Sequence, residues 1–134
     1  MMGTQCYRFN DGGRADAGFK GKAKDCVVRS VAIATGLTYK EVYVALAARN
    51  AELTGKRTAR DGLQKAVYEG YLRELGFQWV AAPKIDGRKA RVYDLPKGAV
   101  IARQAHHLVA VIDGVANDVF DCTGKMVYGF WTKQ

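Results

Sequence analysis

The pair Asp113-Gly114, set between two apolar stretches, constrains the fold of this chain more than any other short segment. His107-Leu108-Val109-Ala110-Val111-Ile112 precedes it, and Val115-Ala116-Asn117-Asp118-Val119-Phe120 follows. Asp-Gly between such runs is a strong hairpin signal: the tightest turns need positive φ at both central residues, which glycine adopts freely and aspartate tolerates. A two-residue turn pairs Ile112 with Val115 and sets Asp118 opposite Val109. Residues two apart on a strand share a face, so His107 points the same way as Val109, and Asp118 becomes its diagonal neighbour, within reach of the ring. With His106-His107 opening the strand, His106 would face Asp121 across the other side of the sheet. That is the alternate pair.

An apolar helical pattern begins at Asp25-Cys26 and continues through Val27, Val28, Val31, Ala32 and Ile33 to a stop at Gly36. Asp25 is predicted to cap it, its carboxylate accepting from the unpaired amides of the first turn. Cys26 then sits at the positive end of the helix dipole, which favours thiolate over thiol. An adjacent imidazolium lowers a cysteine pKa from about 8.5 toward roughly 3.5–7.5. The charge of Asp25 works in the opposite sense. The bland alternative for Cys26 is a small buried hydrophobe. A helix-start cysteine, a strand-start histidine and a diagonal carboxylate are together the parts of a nucleophile, its base and the group that orients the base.

On these residues the chain resembles the papain-like cysteine peptidase superfamily. There the nucleophile opens a central helix, the histidine begins a strand, and an Asn or Asp on the next strand, followed by a small residue and an aromatic, orients the imidazole. The matching positions are Cys26, His107 and Asp118-Val119-Phe120, with Gly124 and Tyr128-Gly129-Phe130-Trp131 similar to the aromatic strands that follow. The likeness covers 25–36 and 100–131, under half of the chain, and extends to short phage and prophage proteins carrying an Asp-Cys pair. It implies an α+β, papain-like fold, with N-terminal helices packed on a C-terminal antiparallel sheet. It also implies an oxyanion hole built from the Cys26 backbone amide and a side chain upstream of it. Where the family usually has glutamine this chain has Lys20, and Val27 replaces the tryptophan that often follows the nucleophile. Lysine can donate the same hydrogen bond. Gln5 and Asn10 are further candidates if the N-terminal arm folds back.

A chain of 134 residues with 49% hydrophobic residues suits one domain, 1–134, divided into an arm over 1–24, a mainly helical part over 25–76 and a mainly strand part over 77–134. No apolar run is long enough to span a bilayer, and residues 1–8 lack the apolar core of a signal peptide. A cytoplasmic location without membrane association is the expectation. Cys6, Cys26 and Cys122 are odd in number and widely spaced, which fits a reducing compartment better than a disulfide framework. With no Cys-x-x-Cys and two adjacent histidines that a strand would point apart, neither a metal nor a cofactor is expected.

Thr38 and Glu41 form a capping box for a second helix with Val42, Ala45 and Leu46 on its apolar side. The polar stretch 52–60 reads as a mobile surface loop, and Leu63, Ala66, Val67, Gly70, Tyr71 and Leu75 keep helical spacing until Gly76. Strands are predicted at 77–81 and 100–102, with turns at Asp86-Gly87 and Leu95-Pro96-Lys97-Gly98. Helices first and strands after point to α+β layering.

Lysine and arginine total 21 against 13 acidic residues, a net charge of +8. A second class of function is therefore a basic nucleic-acid-binding or interaction module, with Lys20, Lys22 and Lys24 on phosphates and Tyr39, Tyr43, Phe77 or Trp79 stacking on bases. No recognisable DNA or RNA motif accompanies the charge, so nucleic acid is not the favoured partner. The reading adopted is a cysteine peptidase or amidase acting through Cys26, His107 and Asp118 on a peptide or protein substrate, acidic or peptidoglycan-related. A catalytically degenerate relative is the other alternative. Loops 52–60 and 82–91 are expected to set specificity.

Overall fold

Two apolar hairpin strands, β3 (Ala99–Gln104) and β4 (His107–Ile112), form the middle of a six-stranded sheet. The computed structural model describes residues 6–21 and 23–133. β4 is flanked on its other side by β5 (Val115–Asp118), and β5 by β1 (Tyr7–Phe9) at the edge. Beyond β3 lie β6 (Gly129–Lys133) and β2 (Phe77–Ala81). All neighbours are antiparallel except β1, which runs parallel to β5.

Three helices, α1 (Cys26–Thr35), α2 (Tyr39–Thr54) and α3 (Lys65–Glu74), complete the α+β architecture. Gly36 ends α1 in the left-handed conformation at φ 79, with its amide on the Ala32 carbonyl. The Thr38/Glu41 capping box starts α2 with both reciprocal bonds formed, at 3.1 and 3.0 Å. Val28, Val31, Val42, Leu46 and Leu72 pack from the helices against Ile101, Leu108 and Trp131 on one face of the sheet. The other face, with Val100, Ala102, Val109 and Val111, is covered by Val92, Leu95, Cys122 and Val127. Each fully buried aliphatic of this kind contributes about 1.5–3 kcal/mol. With layers on both faces, β4 is buried from Leu108 to Val111, which is why it reads as a continuous apolar run rather than an alternating one.

The elements depart from the sequence expectation first in their order and bounds. Helices do not come first: β1, three residues of the predicted arm, joins the sheet ahead of α1. Its Arg8 and Phe9 are exposed, so no apolar alternation marks it in the sequence. The predicted loop 52–60 starts late, because α2 continues to Thr54. The remainder is tied down, with Thr58 accepting from Asn50 Nδ2 at 3.0 Å and Ala59 buried. Leu63 precedes α3 rather than belonging to it, and packs against the helical core. Among the described residues, no helix is long and apolar enough to cross a membrane.

Candidate active site

The turn at Asp113-Gly114 has φ of 50 and 80, and it pairs Ile112 with Val115, Val111 with Ala116 and Ala110 with Asn117. This is the register expected from the sequence. It brings Asp118 Oδ2 to 2.6 Å from His107 Nε2. The second carboxylate oxygen accepts from the Val119 amide at 2.7 Å and lies 3.6 Å from Arg29 Nη2. Asp118 is buried, so both its oxygens are held by protein.

His106 is not the first residue of the strand. Gln104 pairs with His107, which leaves Ala105-His106 as a second two-residue turn, with His106 exposed at φ 53. Histidine is among the non-glycine residues that tolerate this conformation. The alternate pair of His106 with Asp121 does not form: the Asp121 carboxylate accepts from the Thr123 amide and hydroxyl, at 2.9 and 2.6 Å.

Cys26 is the first residue of α1 and belongs to the helical layer, whereas His107 stands in the row that faces the opposite layer. Both lie at the rim where β4 begins and line one cleft, where the His107 ring and the Leu108 amide act on the thiol. Burial opposes ionisation of Cys26. Hydrogen bonding to His107 and to the Leu108 amide, with the charges of His107 and Arg29, outweighs burial and holds the thiol below its ordinary value. For His107, burial again disfavours charge, but hydrogen bonds to Asp118, Cys122 and Cys26 and the carboxylate's charge push the ring up from 6.5 to about 11. The two shifts run in opposite directions, which is what a thiolate–imidazolium pair requires at neutral pH.

Asp25 does not cap α1. Its side chain makes no capping bond; it accepts from Tyr39 Oη at 2.6 Å and is paired with Arg14 Nε and Arg29 Nη1, each at 3.2 Å. A carboxylate only 2% exposed is better compensated by two guanidinium groups than by first-turn amides. Its charge is thereby matched and does not oppose the thiolate. Arg29 bridges Asp25 and Asp118, so an unbroken polar chain runs from Arg14 to His107.

Arg14, Tyr39 and Cys122 are site residues that the sequence does not announce. Arg29 is signalled only by its spacing of four from Asp25 on a helix. The buried Cys122 sulfur, His107 and Asp118 lie within 4.8 Å of one another, a donor set that a metal ion could use. Arg29 sets a fixed positive charge beside that carboxylate, and burial pushes the Cys122 thiol up, both unfavourable to a cation there.

Lys20, read from the sequence as an oxyanion-hole donor, is exposed and does not line the Cys26 cleft, and its carbonyl accepts from Arg14 Nη2 at 3.1 Å. Asn10 is committed elsewhere, donating to Asn117 Oδ1 at 3.2 Å and accepting from the Gly12 amide at 2.9 Å. Gln5 lies outside the described residues. The Cys26 amide stands in the first turn of α1, where amides have no intrahelical acceptor, and the first helical bond runs from Arg29 to the Asp25 carbonyl at 3.0 Å. Cys26 and His107 open onto a cleft of about 290 Å³ whose other walls include Lys65, Tyr68, Arg103 and Gln104. Compared with known proteins, the chain matches no family model, no curated protein and no solved structure.

Proposed function

We propose that this chain is a cysteine hydrolase of the peptidase or amidase type, organised as in the papain-like superfamily, with Cys26 as nucleophile, His107 as acid and base, and Asp118 as the group orienting His107. The single observation carrying this reading is the Asp118–His107 pair, 2.6 Å apart, whose ring shares one open cleft with Cys26 at a helix start. With Nε2 bound to Asp118, Nδ1 is the nitrogen left to share a proton with sulfur. The thiolate attacks the carbonyl carbon of an amide and forms a C–S bond. His107 gives its proton to the departing nitrogen as the C–N bond breaks, leaving a thioester and a neutral ring. Water then loses a proton to His107 and attacks the thioester; the C–S bond breaks, and the ion pair is restored. The Cys26 amide, at the positive end of α1, is the donor for the developing oxyanion.

The test uses p-nitrophenyl acetate as a generic acyl donor. A burst of p-nitrophenol, together with one acetyl group mapped to Cys26 by mass spectrometry, is expected, and Cys26→Ala should abolish both. Acylation at Cys6 or Cys122 in preference to Cys26 would refute the assignment.

A further inference from the structure

Arg103 is common to three adjoining hollows: the Cys26 cleft, a cavity of about 250 Å³ it shares with Lys65, Glu69, Arg73 and Trp79, and a third beside His106 and Tyr128. The surface leading away from the nucleophile therefore carries Lys65, Arg73 and Arg103 against a single acid, Glu69, which pairs with Lys65 at 3.9 Å. Among the described residues, neither Arg73 nor Arg103 has an ion-pair partner. Both are nevertheless positioned: Arg103 lies over the Tyr128 ring at 5.6 Å, and Arg73 over the Trp131 ring at 5.4 Å. A guanidinium backed by a ring is desolvated on one side while its fork of donors stays free for a planar anion. Trp79 and Tyr128, each more than a third exposed, offer apolar surface next to these charges.

We infer that the cleft selects an acidic peptide, whose carboxylate side chains engage Arg103 and Arg73 while an apolar neighbour rests on Trp79 or Tyr128. The inference rests on the acyl-transfer reading, because only a ligand presenting an acyl carbon makes productive use of Cys26. That requirement favours a peptide over a nucleic acid as the owner of the negative charge. Arg103 and Arg73 act on substrate binding and carry no step of the bond exchange.

The experiment compares two irreversible probes, acetyl-Glu-Glu-Ala chloromethyl ketone and its Gln-Gln-Ala counterpart, whose charges sit away from the reacting carbon. At low ionic strength the acidic probe should alkylate Cys26 about tenfold faster, an advantage that salt erodes. Arg103→Gln and the exposed Arg73→Gln should each reduce that ratio toward unity. Equal rates for the two probes in the unsubstituted chain overturn the inference alone, as does a preference that survives both substitutions. Failure of both probes to reach Cys26 removes the acyl-transfer reading together with it. Protection of Cys26 by a short single-stranded oligonucleotide, but not by a free Glu-rich peptide at equal ionic strength, would assign the charge to nucleic acid and overturn it too.

Discussion

His106 and His107 are adjacent in sequence and opposite in circumstance. One is exposed in a turn at positive φ; the other is held between a buried carboxylate and two thiols. His107→Ala should lower acylation of Cys26 by about 10²–10⁴, the usual worth of a positioned acid–base group. His106→Ala should retain most of the rate. Asp118→Asn is expected to fall between, since an amide still orients the ring but removes the charge that raises its pKa. The alkaline limb of the rate profile should then move to lower pH, and rates measured across pH for the three variants check this. Equal loss in both histidine variants would exclude the assignment of roles. The same shift bears on stability. The folded ring's pKa is raised from 6.5 to about 11, so its ion pairing stabilises fully below 6.5 and that contribution is lost as pH rises through about 11.

At the scale of elements, charge rather than capping holds the first turn of α1. Asp25→Asn leaves Arg14 and Arg29 with one compensating partner fewer at a site almost closed to water. The expected cost is about 3–5 kcal/mol, the usual range for breaking a buried ion pair from one side. Urea unfolding measures it directly, and a loss under about 1 kcal/mol would mean that water solvates these groups after all. Helix starts and hairpin turns are legible in this sequence because their determinants are local: Thr38 with Glu41, and Asp113 with Gly114, settle their geometry within four residues. The role of Asp25 is not legible for the opposite reason. Its partners arrive from Arg14 on the preceding segment and Tyr39 on the following helix, and no spacing rule connects them. His106 fails similarly, since the length of the β3–β4 turn depends on where Gln104 finds its partner.

For the whole molecule, the layering of helices on a mostly antiparallel sheet follows from the change of apolar period along the chain, and the diagonal of His107 and Asp118 follows from one turn. What stays hidden is the return of the N-terminal segment to the far edge of the sheet. β1 carries too little buried surface to advertise itself, yet it is bound to the strand that holds Asp118. Tyr7 Oη and the Asn10 amide both donate to the Asp118 carbonyl, at 3.3 and 2.9 Å, and the Asn10 side chain links Asn117 to Gly12. The edge strand therefore fixes the backbone from which the orienting carboxylate projects, although it lines no part of the Cys26 cleft. Asn10→Ala removes two side-chain hydrogen bonds, each worth about 0.5–1.5 kcal/mol. Its effect should be local: β5 amides should exchange faster with solvent while those of α2 keep their protection, as expected when a low-stability edge opens without global unfolding. Acylation of Cys26 should fall in parallel, because a loosened β5 lets Asp118 leave His107. Unchanged β5 exchange with unchanged acylation would reduce the N-terminal strand to a cover. Faster exchange with full acylation would show instead that the Arg29 and Val119 contacts suffice to hold the carboxylate by themselves.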